Sequence, residues 1–142
     1  MSQTLEEIQD ELVEEFSFLE DWMDKYEMII DMGTALEGLP ESDKSEQWLV
    51  RGCQSQVWIK PRKENGLLYF DVDSDAMITK GIAGMVARVV SGRKPAEIAH
   101  ADLNFIQRIG LREHLSPNRA NGLLSMVQKI KTYALTYDKI PD

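Results

Sequence analysis

Residues 56–73 read Gln-Val-Trp-Ile-Lys-Pro-Arg-Lys-Glu-Asn-Gly-Leu-Leu-Tyr-Phe-Asp-Val-Asp, and the fold class turns on them. Gln56 to Lys60 is short, β-branched and aromatic. Asn65-Gly66 is the dipeptide favoured in tight hairpin turns, because both residues tolerate positive φ. Beyond it Leu68, Phe70 and Val72 alternate with Tyr69, Asp71 and Asp73, the period-two pattern of a half-buried strand with one wet face. Leu49-Val50-Arg51 offers a short strand ahead of them. The middle of the chain is therefore a small antiparallel sheet of two or three strands.

Helical periodicity takes over on both sides. Upstream, Thr4 with Glu7 makes a capping box ahead of Leu5, Ile8, Leu12 and Phe16. Ser17 with Glu20 repeats the box before a second stripe of Trp22, Met23, Tyr26, Ile29 and Ile30, which Gly38 and Pro40 stop. Downstream, Ala76 to Ser91 is a mostly apolar helix ending at Gly92, with Ser74 or Asp75 as its cap. Pro95 opens a short helix to about residue 101, and another turn or two covers Leu103–Ile109. Ser116-Pro117 starts a last helix whose buried face carries Leu123, Val127, Ile130 and Ala134. Helices flanking a short run of strands give an α+β fold: a small antiparallel sheet packed by N- and C-terminal helices. The chain reads as one domain over residues 1–142, with a tail from residue 136 that frays.

Composition narrows the function. The chain has 142 residues, 43% of them hydrophobic and 28% charged, the balance of a packed soluble domain. Sixteen basic against twenty-four acidic residues leave a net charge of −8, which repels a phosphate backbone, and no basic stripe offsets it. Apolar runs such as Val57-Trp58-Ile59 fall far short of the roughly 20 residues a membrane span needs. The opening Met-Ser-Gln-Thr-Leu-Glu-Glu has no basic and apolar leader pattern, and a single cysteine suits a reducing compartment. The expectation is a cytoplasmic protein without nucleic-acid or membrane partners.

Most motifs for chemistry fail. Lys80-Gly81-Ile82-Ala83-Gly84 lacks the order of a phosphate loop, and helix packing explains its glycines better. Asp71, Asp73 and Asp75 mimic the start of a calcium loop, but Ala76 stands where the turn glycine belongs and Ile82 where the bidentate glutamate belongs. No metal site is expected. The three aspartates read instead as the solvated edge of a strand. His100 and His114 pair with no nucleophile and read as solvated or capping residues.

Cys53 is different. Its neighbours Arg51-Gly52-Cys53-Gln54-Ser55-Gln56 are polar, whereas structural thiols sit in apolar runs. Gly52 permits a tight turn with the cysteine at its tip. Turn amides and Arg51 favour the thiolate, while an apolar pocket built by Val57-Trp58-Ile59 with Met77, Ile78 and Ile82 would disfavour it. A reactive thiol and a plain loop residue both remain open from these residues alone. With one cysteine, a reactive Cys53 must trade with a partner's sulfur.

Gly52-Cys53-Gln54-Ser55-Gln56-Val57-Trp58 resembles the signature of the SufE family of sulfur acceptors. Asp73-Ser74-Asp75-Ala76 with Lys80-Gly81 resembles its second motif, and His114-Leu115-Ser116-Pro117-Asn118-Arg119 with Gly122 its third. The likeness runs from about Phe18 to Ala134, with Asn118 standing where many relatives carry serine. It implies a fold similar to the IscU-like scaffolds, with the cysteine on a loop at one end. It also implies a role: taking persulfide sulfur from a pyridoxal-phosphate cysteine desulfurase, stimulating that enzyme, and relaying sulfur to an iron–sulfur assembly scaffold. Cys53 takes the acceptor position, Arg119 a docking position, and Asp75 a place beside the cysteine loop that tunes access to it. Gln54 and Arg51, flanking the thiol, join them on the partner-binding surface. No cofactor is implied in this chain, since the hard chemistry belongs to the partner's pyridoxal phosphate. A cluster-binding scaffold would need several thiolate ligands, which one cysteine cannot supply. An adaptor that binds the desulfurase with Cys53 incidental is the remaining rival, as is delivery to another sulfur acceptor.

Overall fold

The computed structural model describes residues 3–140. Met1 and Ser2, which begin the leader argument, and Pro141 and Asp142, the end of the expected tail, lie outside them. Helix α1 spans Leu5–Ser17 and starts with the expected capping box: the Thr4 hydroxyl accepts from the Glu7 amide at 3.0 Å, and the Glu7 carboxylate accepts from the Thr4 amide at 2.9 Å. Its stripe of Ile8, Leu12 and Phe16 is buried.

Helix α2, Trp22–Thr34, departs from expectation at both ends. Ser17 is the last residue of α1, with its hydroxyl donating to the Glu14 carbonyl, and Asp21 caps α2 by accepting from the Met23 amide at 2.7 Å. A carboxylate closer to the first turn serves better than a serine that the preceding helix already uses. The helix ends at Thr34, before Gly38 and Pro40.

The hairpin forms as read. Strand β1, Val57–Glu64, pairs antiparallel with β2, Leu67–Ser74, in a register running from Val57 opposite Ser74 to Glu64 opposite Leu67. Asn65 and Gly66 take φ of 53° and 80° at the turn. The sheet has two strands, not three. Leu49 makes only an isolated bridge to Trp58, because the chain leaves the sheet at once into the cysteine turn. Even so, the Ile59 amide donates to the Trp48 carbonyl and the Val50 amide to the Val57 carbonyl, on the outer side of β1. Pro61 faces the same way. On the outer side of β2, Arg93 and Gly92 bond both backbone groups of Leu68, and the Ser91 hydroxyl accepts from the Phe70 amide.

The wet-face alternation fails at Asp73, which is 6% exposed. Its carboxylate accepts from the amides of Leu39 and Ser74 and pairs with Lys44 at 3.5 Å and Lys80 at 3.6 Å. It is a buried, fully partnered anchor tying the loop after α2 to the end of β2, as a buried charge must be. Ser74 and Asp75 do not cap the next helix as expected; Ala76 occupies that position without a side-chain bond.

Helix α3, Met77–Val90, is buried along most of its length and packs on β2 and α2. A Cβ on Gly81 would meet the Ile29 carbonyl at 1.9 Å, so the glycine of the failed phosphate motif is a helix-crossing residue. Short helices α4 (Pro95–Ala99), α5 (Phe105–Ile109) and α6 (Leu111–His114) lead to α7, Pro117–Asp138. His100 follows the end of α4. His114 stacks flat on Trp22 at 4.0 Å between ring centroids, and its carbonyl accepts from the Tyr26 hydroxyl, which fixes the start of α7 against α2. The last helix does not fray after Ala134: it runs to Asp138, and Lys63 binds the carbonyls of Tyr137 and Ile140. Among the described residues no helix is long and apolar enough to cross a membrane.

Candidate functional site

Cys53 follows Gly52, whose φ of 93° turns the chain sharply out of Val50-Arg51. Only a residue without a side chain fits there: a Cβ on Gly52 would come within 2.5 Å of the Ser125 hydroxyl. The turn therefore lies flat on α7, with the cysteine facing that helix. Its sulfur is 3.6 Å from the Gly122 carbonyl, to which the thiol donates, and a Cβ on Gly122 would stand 3.2 Å from the sulfur. Gly122 of the third motif is thus the floor on which the thiol rests.

Around the sulfur is a cavity of about 180 Å³. Ile82 and Thr79 of α3 form one wall, Gly122 and Met126 of α7 another, and Gln54, Asn118, Ser116 and Arg119 the mouth. Such a space exceeds the roughly 10–15 Å³ that one water-sized guest requires. Cys53 is half-buried, and burial pushes its thiol above the ordinary range.

The loop is fastened at its base and across the mouth. The Gln56 amide donates to the Asp75 carboxylate at 3.0 Å, while the Gln56 carbonyl accepts from the Ser74 hydroxyl at 2.7 Å and the Asp75 amide at 3.2 Å. Asp75 therefore stands at the base of the cysteine loop. Across the mouth, the Asn118 amide group donates to the Gln54 side-chain oxygen at 2.8 Å. Arg119 lines the mouth from the first turn of α7, where its backbone amide donates to Ser116; its guanidinium has no ion-pair partner among the described residues. Arg51 is the exception among the expected residues. It is exposed, pairs with Glu46 at 3.9 Å, and lies on a different face beside Ser125 and Lys129.

The expected pocket is also differently built. Val57 and Ile59 are core residues and Met77 is half-exposed; of the residues named, only Ile82 lines the cavity. Thr79 and Met126 were missed. Thr79 sits in a stretch read as a mostly apolar helix, and only its three-residue spacing from Ile82 places it on the same wall. No group of three or more histidine, cysteine, aspartate or glutamate side chains gathers to hold a metal among the described residues.

The SufE family, described as an Fe-S metabolism associated domain, matches residues 10–134. An uncharacterized SufE-like protein of Rhizobium meliloti strain 1021 is 40% identical over 130 residues, which cover 88% of this chain and 93% of that protein. A second, from Rhizobium etli, is 40% identical over 130 residues, 88% of each chain. The solution structure of a hypothetical protein from Thermus thermophilus superposes with a TM-score of 0.74 over 91% of this chain and 94% of that one, at 18% identity. It shares the fold of helices around a small antiparallel sheet.

Proposed function

The chain belongs to the SufE family, and on that premise we propose that it is a sulfur acceptor and carrier acting through Cys53. The partner is a pyridoxal-phosphate cysteine desulfurase that holds sulfur as a persulfide on its own cysteine. The Cys53 thiolate attacks the outer sulfur, a new S–S bond forms, the partner's S–S bond breaks, and the partner's cysteine leaves as a thiolate. No external oxidant or reductant enters, because sulfur moves at constant oxidation state. The carrier thereby clears the desulfurase for another turnover, stimulates it, and relays sulfur to an iron–sulfur assembly scaffold in the cytoplasm.

The observation that carries this reading is the position of the sole cysteine, half-buried over a cavity with room beyond its sulfur. Arg119 and Gln54 at the mouth and Asp75 at the loop base are the groups a docking partner would engage. Arg51 would meet the partner only through a wider footprint. Incubation with a cysteine desulfurase and isotope-labelled cysteine should place labelled sulfur on Cys53. Cys53→Ser should fold normally and lose both the label and the stimulation. Full stimulation by the serine variant would make the protein an adaptor instead.

A further inference from the structure

Thr79 is idle in that transfer, yet it lines the cavity around the sulfur. It is 7% exposed, and its hydroxyl bonds no described residue. Thr34 and Thr132, also within helices, donate to the carbonyl four residues back, at 3.0 and 2.9 Å. Thr79 does not. Nor is its oxygen sealed in protein: the Tyr133 hydroxyl is the side-chain polar atom that is fully enclosed without a partner among the described residues. The Thr79 hydroxyl is thus not fully enclosed, and the cavity beside Cys53 is the space that Thr79 lines. A hydroxyl that bonds no protein group is free to donate to whatever occupies the cavity.

We propose that the Thr79 hydroxyl donates a hydrogen bond to the outer sulfur of the Cys53 persulfide and so holds the loaded sulfur inside the cavity. This rests on Cys53 being the sulfur acceptor. In the resting protein the thiol hydrogen goes to the Gly122 carbonyl. Loading replaces that hydrogen with a second sulfur, which is an anion once ionised. The carbonyl, an acceptor, then repels it, and Ile82 and Met126 offer nothing polar. A desolvated anion needs a donor. Gln54, Ser116, Asn118 and Arg119 stand on the exposed side and Ser55 is only partly buried, so Thr79 is the most buried hydroxyl on the cavity wall. Thr79 supplies that donor, and it holds no bond to a described residue that must be broken first.

The full-length protein, loaded at Cys53 with inorganic polysulfide and freed of excess donor, gives a direct test. The mass gain of one sulfur atom measures loading. Iodoacetamide then measures access: the outer sulfur forms a bond to carbon and iodide leaves. At the alkaline plateau, where the outer sulfur is fully ionised, Thr79→Val should load to the parental extent and alkylate roughly 10- to 100-fold faster, the loss expected for one hydrogen bond to a charged group. Its pH midpoint should move upward, because the anion has lost a donor. Thr79→Ser should restore both to within about twofold. The melting temperature of Thr79→Val should hold or rise, since no resting-state bond is lost. A valine variant that loads normally but alkylates at the parental plateau rate, or a serine variant no slower than valine, would overturn the assignment to Thr79. Failure of the parent to take sulfur on Cys53 would instead overturn the acceptor reading beneath it.

Discussion

The sulfur of Cys53 lies 3.6 Å from the carbonyl oxygen of Gly122, and a methyl group on that glycine would stand 3.2 Å from the sulfur. Two segments 69 residues apart thus meet with no side chain between them. The resting position of the thiol is set by what α7 lacks, and this makes the glycine a handle on the loop.

Gly122→Ala should push the cysteine outward without harming the helix. Alanine in place of a helical glycine contributes about 0.8–1 kcal/mol of intrinsic propensity, which offsets the local crowding. Cys53 should therefore react several-fold faster with a bulky maleimide while the melting temperature stays near the parental value. A parental labelling rate would mean that the glycine does not position the thiol.

In the unmodified protein, labelling of Cys53 should be slow for two reasons, shelter against α7 and a thiol pKa raised by burial. Raising the folded pKa lowers the thiolate fraction at neutral pH, so the pH midpoint of labelling should lie above that of the same chain in denaturant. Asp75→Ala removes the acceptor for the Gln56 amide at the loop base and should speed labelling, as should addition of a desulfurase. Labelling of the free protein at the rate of the denatured chain would show an open loop.

Arg119→Ala should weaken productive coupling to the desulfurase and leave stability within about 0.5 kcal/mol, as for most exposed substitutions. The guanidinium has no ion-pair partner to lose among the described residues. A cation in the first turn of a helix is mildly unfavourable for the helix itself, so its removal costs nothing there. Transfer kinetics at limiting carrier concentration are the measurement, and parental kinetics would remove Arg119 from the docking surface.

Asp73→Asn tests the buried anchor. Burial by itself would raise this carboxyl's pKa, but the amides of Leu39 and Ser74 and the ammonium groups of Lys80 and Lys44 prevail and hold it below the usual range. A depressed folded pKa adds stability above the unfolded value of about 3.9, and that stability is lost as pH falls through the folded value. The variant should be about 1–3 kcal/mol less stable at neutral pH, with the gap closing in acid. Denaturant unfolding from neutral pH down to the acid limit of folding measures both; a gap that does not narrow as pH falls would assign the loss to packing.

What could be read from sequence follows from how local each determinant is. Asn65-Gly66, the Thr4–Glu7 box and Ser116-Pro117 carry their instructions within a few residues, and each forms as read. The cysteine turn was legible for the same reason, since Gly52 and its polar neighbours are contiguous. Asp73 misled because its alternation with Val72 is a local signal, whereas Lys44, Leu39 and Lys80 reach it from other parts of the chain. The choice of Asp21 over Ser17 depended on where α1 ends. Thr79 belongs to the site only because α3 and α7 converge on Cys53, a fact of packing that no single segment encodes.

The bonds along both outer sides of the hairpin bear on how the protein behaves when crowded. An isolated two-stranded ribbon would offer two rows of free amides and carbonyls on which a neighbouring molecule could extend the sheet. Here Trp48 and Val50 occupy part of one row and Pro61 contributes no donor to it, while residues 91–93 occupy the other. Intermolecular strand addition, and the fibrous aggregation it seeds, is thereby blocked at those positions, leaving recognition of other proteins to helices and loops.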